Sequence, residues 1–336
     1  MTEVRGPVTM NDVARAAGVS NATVSRVVNG HYGVSAKTVE RVRAAIDQLG
    51  YESSLVATSL RRSRTKVLGL VTHSFESYTV EVLKGVMEAL SGTGLDLIVY
   101  ANSDTYGARS PGWEQRHVTR LAGTLTDGCI IVTPGSDVKS NAPVVAIDPV
   151  RDSTLPSVTA DNLAGAVTAV EHLLGLGHKR IGFIAGRSSL AAAWAREEGY
   201  RQALTRAGIP VDPSLIGRGD FHRETAIAPA RALLGSENRP TAIFAASDGM
   251  ALKVLEVAGE LGLDVPGDLS IIGFDNVPES ALSKPALTTI DQSMHRLGFE
   301  AARLLQGLVY GNAGVPRQVL VPTRLIVRES TAPPRE

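Results

Sequence analysis

Residues 9–29, Thr-Met-Asn-Asp-Val-Ala-Arg-Ala-Ala-Gly-Val-Ser-Asn-Ala-Thr-Val-Ser-Arg-Val-Val-Asn, decide how this chain is read. They predict two short helices joined by a tight turn. Thr9 and Asp12 make a Thr-x-x-Asp start, in which the threonine oxygen accepts a backbone N–H left orphaned at the first helical turn. Ala14, Gly18 and Val24 fall where a helix-turn-helix needs a small residue, a residue free to take turn angles, and an apolar plug. Ser20 is placed to cap the second helix, leaving Asn21, Ala22 and Arg26 toward its outward, N-terminal side. Arginine reads guanine, and asparagine reads adenine, through paired hydrogen bonds, so this face suits the major groove of DNA. A third helix is expected from Ser35 to Leu49, apolar along Val39, Val42, Ile46 and Leu49 and closed by Gly50. The plain alternative is a pair of amphipathic helices inside a larger domain. The caps, the exposed arginine and the third helix favour the DNA reading.

Charge points the same way once the chain is divided. Its 336 residues carry 34 basic and 34 acidic side chains, so the total is silent. Residues 1–66 hold ten Lys/Arg against five Asp/Glu, leaving 24 against 29 for the remainder. A basic head on an acidic body is the asymmetry expected when one end alone meets phosphates. The chain is long for one domain and, at 43% hydrophobic, can bury substantial cores. A single cysteine, Cys129, excludes an intramolecular disulfide and a cysteine zinc cluster; its setting, Gly-Cys-Ile-Ile-Val, reads as a buried strand. No apolar run has membrane-spanning length and no signal-peptide core is visible, so a cytoplasmic protein is expected.

From Val67 the pattern changes. Short apolar strands at Val67–Val71, Leu95–Tyr100, Gly128–Thr133, Val144–Ile147, Ile181–Ala185, Ala242–Phe244 and Leu269–Gly273 alternate with helical stretches such as Val80–Leu90. Such alternation predicts parallel sheets covered on both faces, here two of them with a ligand cleft between.

The head resembles the lactose-repressor (LacI/GalR) family. The run Val-Ser-Asn-Ala-Thr-Val-Ser-Arg-Val-Val-Asn-Gly (19–30), then Val-Ser-Ala-Lys-Thr (34–38) and Leu-Gly-Tyr (49–51), carries the resemblance. So do Glu-His-Leu-Leu-Gly-Leu-Gly-His-Lys-Arg-Ile-Gly-Phe-Ile-Ala-Gly (171–186), Ala-Ser-Asp-Gly-Met-Ala-Leu (246–252), Ser-Ile-Ile-Gly-Phe-Asp-Asn (270–276) and Pro-Ala-Leu-Thr-Thr-Ile (285–290) in the body. The resemblance implies an all-α helix-turn-helix head (1–50), a hinge segment (51–66), and an α/β periplasmic-binding-protein-like effector-binding and dimerisation body (67–331). The body would hold two doubly wound parallel-sheet subdomains, 67–160 with 290–316 and 161–289 with 317–331.

It further implies base contacts from Asn21, Ala22 and Arg26, and phosphate contacts from Thr9, Ser20, Thr23, Asn29, Ser35 and Thr38. In the basic segment 51–66, Ser54 would cap a hinge helix, with Leu60 as a minor-groove wedge and Ala57 as its small neighbour. The family often has Pro-Asn where this chain has Ser53-Ser54. Expected effector contacts are Arg196, Asp275 and Phe221, with Asp148, Ser247, Trp194 and His73 as further candidates at strand ends. Arg196 and Asp275 could instead be a structural ion pair, and Trp194 could be plain packing. His73-Ser74 stands where the family often has Pro-Asp. A homodimer face is expected from Val80, Leu83, Met87 and Leu90 together with Met250, Leu252 and Leu255.

Two other classes were weighed. An enzyme would need a site that is not seen: there is no Gly-x-Gly-x-x-Gly after the first strand, no phosphate loop, no Gly-x-Ser-x-Gly and no zinc-like histidine spacing. No metal or cofactor is expected. A transport sugar-binding protein fits the body but not the head. The reading is therefore a regulator that binds double-stranded operator DNA as a homodimer and answers to a small effector, a sugar or glycoside, with a purine-like corepressor as the alternative.

Overall fold

The computed structural model describes residues 8–28, 33–51, 64–101 and 112–335. Contacts divide the chain into two units, Met1–Thr65 and Lys66–Glu336. Asn29, Ser54, Ala57 and Leu60 lie outside the described residues.

The first unit holds α1 (Met10–Ala17), α2 (Asn21–Val28) and α3 (Ala36–Leu49). Thr9 and Asp12 close a full capping box, the Asp12 N–H donating to Thr9 Oγ1 at 3.4 Å and the Thr9 N–H to Asp12 Oδ2 at 3.0 Å. Gly18 takes φ 62°, the left-handed conformation that the turn into α2 requires. Val13, Val24 and Val42, one from each helix, are fully buried and form the centre of a small core with Ala14, Ala17 and Ala45.

The second unit runs β1 (Val67–Thr72), α4 (Ser77–Leu90), β2 (Asp96–Ala101), α5 (Trp113–Leu121), β3 (Gly128–Val132), β4 (Val144–Ile147), β5 (Ser157–Ala160), α6 (Asn162–Gly175), β6 (Ile181–Ala185), α7 (Ala191–Arg206), β7 (Ile216–Arg218) and α8 (Ile227–Leu234). It continues with β8 (Ala242–Ala245), α9 (Asp248–Glu260), β9 (Ser270–Asp275), α10 (Pro278–Leu282), β10 (Thr288–Asp291), α11 (Met294–Tyr310), β11 (Gln318–Val321) and β12 (Arg324–Ile326). Two sheets result, ordered β11-β5-β4-β3-β1-β2 and β12-β10-β9-β8-β6-β7. All pairings are parallel except β10 with β12. The inner strands β1, β3, β4, β6, β8 and β9 are buried along their whole length, as their unbroken apolar runs require when helices cover both faces.

The chain thus passes between sheets after β5, after β10 and again after β11. The last passage differs from expectation. The resemblance places residues 317–331 wholly in the second half, yet β11 pairs with β5, Gln318 opposite Ser157, and completes the first sheet. The exposed side of β5 offers unpaired backbone groups that a further strand satisfies. Only β12 returns to the second sheet. Helix α11 packs on α4 over the first sheet through Gly85 and Gly298. A Cβ at either glycine would overlap a carbonyl oxygen of the facing helix, His295 and Val82 respectively.

Candidate functional site

In the head, α2 presents Asn21, Ala22 and Arg26 to solvent while Val24 turns inward. Ser20 Oγ accepts the Thr23 N–H at 3.2 Å, so the helix start is capped and its remaining N–H groups face outward. Ser35 does the same for α3, accepting from Thr38 N–H at 3.3 Å. Both capped starts, with Thr9 at that of α1, carry exposed hydroxyls of the kind that meet phosphate oxygens. Asn21 is also tied to α1, its Nδ2 donating to Asn11 Oδ1. One stabilising contact is not visible in sequence: Arg41 Nη2 reaches back from α3 to the carbonyl oxygens of Ala17 (2.5 Å) and Gly18 (3.2 Å), clamping the turn.

In the body, the C-terminal ends of strands from both sheets converge. Arg196, on α7, is 2% exposed. Its Nε donates to Asn162 Oδ1 at 2.8 Å, Nη1 to Ala246 O at 2.5 Å and to Asp275 Oδ1 at 3.3 Å, and Nη2 to Gln292 Oε1 at 3.3 Å. One N–H on Nη2 is left without an acceptor among the described residues. The guanidinium lies 3.7 Å from the centroid of Phe274 and 5.5 Å from that of Phe221. Gln292 Nε2 also donates to Asp275 Oδ1 at 2.6 Å.

From the first half, Asp148 accepts hydrogen bonds from Tyr78 Oη and Thr159 Oγ1, both at 2.7 Å. Burial pushes the Asp275 carboxyl up to about 8; Arg196 opposes this, while the charges of Asp248 and Asp148 add to it. Asp248 is completely buried behind Asp275 and is raised to about 6, again first by burial, against hydrogen bonds from Thr289 and the Val277 N–H. Burial, and then Asp148, also holds the Tyr78 phenol well above its usual range. The centre therefore gathers three acids around one arginine, and burial with the neighbouring acids favours the protonated form of the Asp275 carboxyl.

Several residues here have φ in the left-handed region: Asp148 at 46°, Phe221 at 66°, Asp275 at 127°, Asn276 at 63° and Ser293 at 54°. Non-glycine residues hold such angles at a cost, and they concentrate where a site needs a side chain aimed. Phe221 lies flat against Gly186, where a Cβ would overlap its ring.

Other expected residues are placed differently. Ser247 Oγ accepts the Met250 N–H at 3.3 Å and so caps α9. The His73 ring accepts from Trp113 Nε1 at 2.9 Å and lies tilted against that indole, at an interplanar angle of 59°. Trp194 is 45% exposed at the rim, beneath the Arg151 guanidinium. The expected dimer face needs correction. Leu90, Met250 and Leu252 are buried in the cores of their own halves, covered by other elements of the same body; Val80 and Met87 are exposed. Cys129 is buried in β3 and its thiol is pushed up to about 11 by burial, a core position. Among the described residues no cluster of His, Cys, Asp and Glu could hold a metal. Sequence reasoning missed Tyr78, Thr159, Asn162, Asp248 and Gln292. Gln292 carried a usable signal, lying just beyond a strand end; Tyr78 carried none.

A helix-turn-helix reader joined to a two-sheet body with a buried polar centre defines a ligand-responsive DNA-binding regulator. Residues 9–54 match the bacterial regulatory proteins of the lacI family, and residues 170–331 match the periplasmic binding protein-like domain. The chain is 35% identical over 334 residues to catabolite control protein A of Priestia megaterium, covering 96% of this chain and 99% of that protein. It is 34% identical over 332 residues to the transcriptional repressor PurR of Photobacterium profundum, covering 96% and 98%. Among solved structures, the lac repressor dimer bound to operator and the anti-inducer ONPF superposes with a TM-score of 0.83 at 31% identity, covering 97% and 100%. The CelR–cellobiose complex superposes with a TM-score of 0.73 at 33% identity, covering 96% and 99%. The chain belongs to the lacI family: it is a DNA-binding transcriptional regulator with an effector-binding body, and not an enzyme. No helix among the described residues is long and apolar enough to cross a membrane.

Proposed function

We propose that this protein is a repressor of carbohydrate-utilisation genes. It acts in the cytoplasm, at the nucleoid, as a homodimer that reads a near-palindromic operator and is controlled by a sugar or glycoside bound between the halves of its body. In this reading Asn21, Ala22 and Arg26 meet base edges, and Thr9, Ser20, Thr23, Ser35 and Thr38 meet phosphates. Asn29 and the hinge residues Ser54, Ala57 and Leu60 complete the DNA contacts. The head spans 1–50 and the hinge 51–66; the body's halves divide at about 161, 290 and 322.

The single observation that carries the effector assignment is the buried Arg196–Asp275–Gln292–Asp148 centre at the strand ends. It presents acceptors, one spare guanidinium N–H and a protonatable carboxyl, with the Phe221 ring alongside. A dense set of directional polar groups beside one aromatic face suits a polyhydroxylated ring. The purine reading is supported by relatives named PurR.

The test is footprinting of the full-length protein on the promoter of its own gene, repeated with saccharide and purine panels. A protected inverted repeat that shifts with a saccharide is expected. Response to hypoxanthine or guanine alone would replace the sugar reading, and absence of any protected repeat would overturn the operator reading.

A further inference from the structure

The turn from α1 into α2 is held from two directions. Arg41 Nη2 grips it from α3, through the carbonyl oxygens of Ala17 and Gly18. From α1 comes a second tie: Asn21, the first residue of α2, donates through Nδ2 to Oδ1 of Asn11. Ser20 fixes the start of α2, accepting the Thr23 N–H at 3.2 Å, and its hydroxyl also meets Thr23 Oγ1 at 3.0 Å. With turn and helix start both held, the freedom left to Asn21 lies in its side-chain torsions.

The Asn11 contact acts on those torsions. An asparagine amide carries one acceptor oxygen and two N–H groups. Half a turn about its last torsion exchanges the places of oxygen and nitrogen. Only the setting with nitrogen toward Asn11 meets an acceptor there. The second N–H and Oδ1 of Asn21 then stand side by side, and no hydrogen bond to another described residue engages them. Both asparagines are exposed. An adjacent donor and acceptor match N7 and the N6 amino group of adenine, and oppose guanine, whose N7 and O6 only accept. An untethered amide can turn over and offer the reversed pair to other bases.

Asn11 is free to serve this purpose. Its neighbours Thr9 and Asp12 are engaged with each other in the capping box. The first helix of a helix-turn-helix crosses the DNA backbone, so Asn11 stands behind the reading surface rather than in it.

We infer that Asn11 is a specificity-determining positioning residue for DNA reading. It fixes the sense of the Asn21 amide, so that α2 arrives at the major groove with an adenine-matching edge already set. This rests on the base contact proposed above for Asn21. Setting the side chain in advance lowers the ordering cost for the matching base alone, and so favours discrimination over general affinity.

The test is selection by the full-length protein from a pool of duplexes with a randomised core, followed by sequencing of the bound fraction. Asn21→Ala should erase the preference at one position of each half-site. Asn11→Ala should lower discrimination at that same position about threefold to tenfold and leave the other positions as they were. Asn11→Asp keeps an oxygen that accepts, so it should hold the parent preference. It should also bind every duplex more weakly, because a carboxylate then stands near phosphates. A parent-like profile in Asn11→Ala overturns the inference. Equal weakening of Asn11→Ala on all sequences also overturns it, since Asn11 would then be structural only. Loss of the preference in Asn11→Asp overturns the acceptor role. If Asn21→Ala changes no position, the base contact itself fails and the inference falls with it. A flattened position in Asn21→Ala beside a parent-like Asn11→Ala leaves that contact standing and removes Asn11 alone.

Discussion

The DNA-reading head and the effector centre of the body solve opposite problems. In the head, the proposed recognition residues are exposed and lie within one turn-linked stretch of sequence; a few buried valines and alanines hold them outward. In the body, the residues proposed to recognise the effector are buried and come from strand ends and from helix α7, spread over more than a hundred residues, with Asp148 at one extreme and Gln292 at the other. An exposed reader can lose a side chain without harm to its support. A buried polar centre supports itself, so under the proposed reading its members would bind ligand and hold strand ends at once. Stability and function should therefore separate cleanly in the head and remain entangled in the body.

The largest effect should come from Arg196→Ala. It strips partners from Asn162, Ala246, Asp275 and Gln292 together, and is expected to lower the body's unfolding free energy by about 3–5 kcal/mol while abolishing the effector response. Parent-like stability in urea unfolding would mean that the arginine serves the ligand alone. A pH effect comes next. The Asp275 carboxyl is raised from its ordinary 3.8 to about 8, so the native state holds a proton that the unfolded chain releases. Its contribution is full below about pH 4 and is lost as pH rises toward about 8. Asp275→Asn should therefore flatten the fall in thermal midpoint over that window, and a parallel fall in both proteins would remove Asp275 as its source.

Arg26→Ala sharpens the contrast from the other side. It should cost about 1–3 kcal/mol in operator binding and flatten base preference at one position. Unfolding should change by no more than about 0.5 kcal/mol, since the side chain is exposed. Equal loss on random DNA would assign it to phosphate contact instead. The smallest effect is expected of Thr9→Ala, about 1 kcal/mol of head stability from loss of the capping box, read by thermal unfolding of the full chain; no change would show that Asp12 alone secures the helix start.

Legibility followed the same division. The capping box, the Gly18 turn and the Val24 plug were readable because each depends on neighbours within a few residues. The central strands were readable because burial on both faces demands unbroken apolar runs, and Val144–Ile147 and Ile181–Ala185 fall where expected. Of the four edge strands, β2 was readable and β7, β11 and β12 were not. β11, with Gln318 and Leu320 exposed, has no such run, and its sheet depends on which edge is free to receive it. Amphipathic helices misled in one respect: periodicity shows that a helix has an apolar side but not whether a sheet or a second chain covers it. Met250 and Leu252 proved to be core for that reason.

Taken alone, the order of residues determined the three-helix reader, the alternation that builds parallel sheets, and the identity of Asp275 and Asp148 as polar residues at strand ends and of Arg196 as a candidate beside them. Those features arise from short-range sterics, capping and hydrophobic periodicity. Tertiary structure alone decided that these three meet, that Tyr78, Asn162, Asp248 and Gln292 join them, and that the Asp275 carboxyl is pushed above its ordinary range. Desolvation and the field of neighbouring charges depend on what surrounds a group in space, and chain separation carries no record of that.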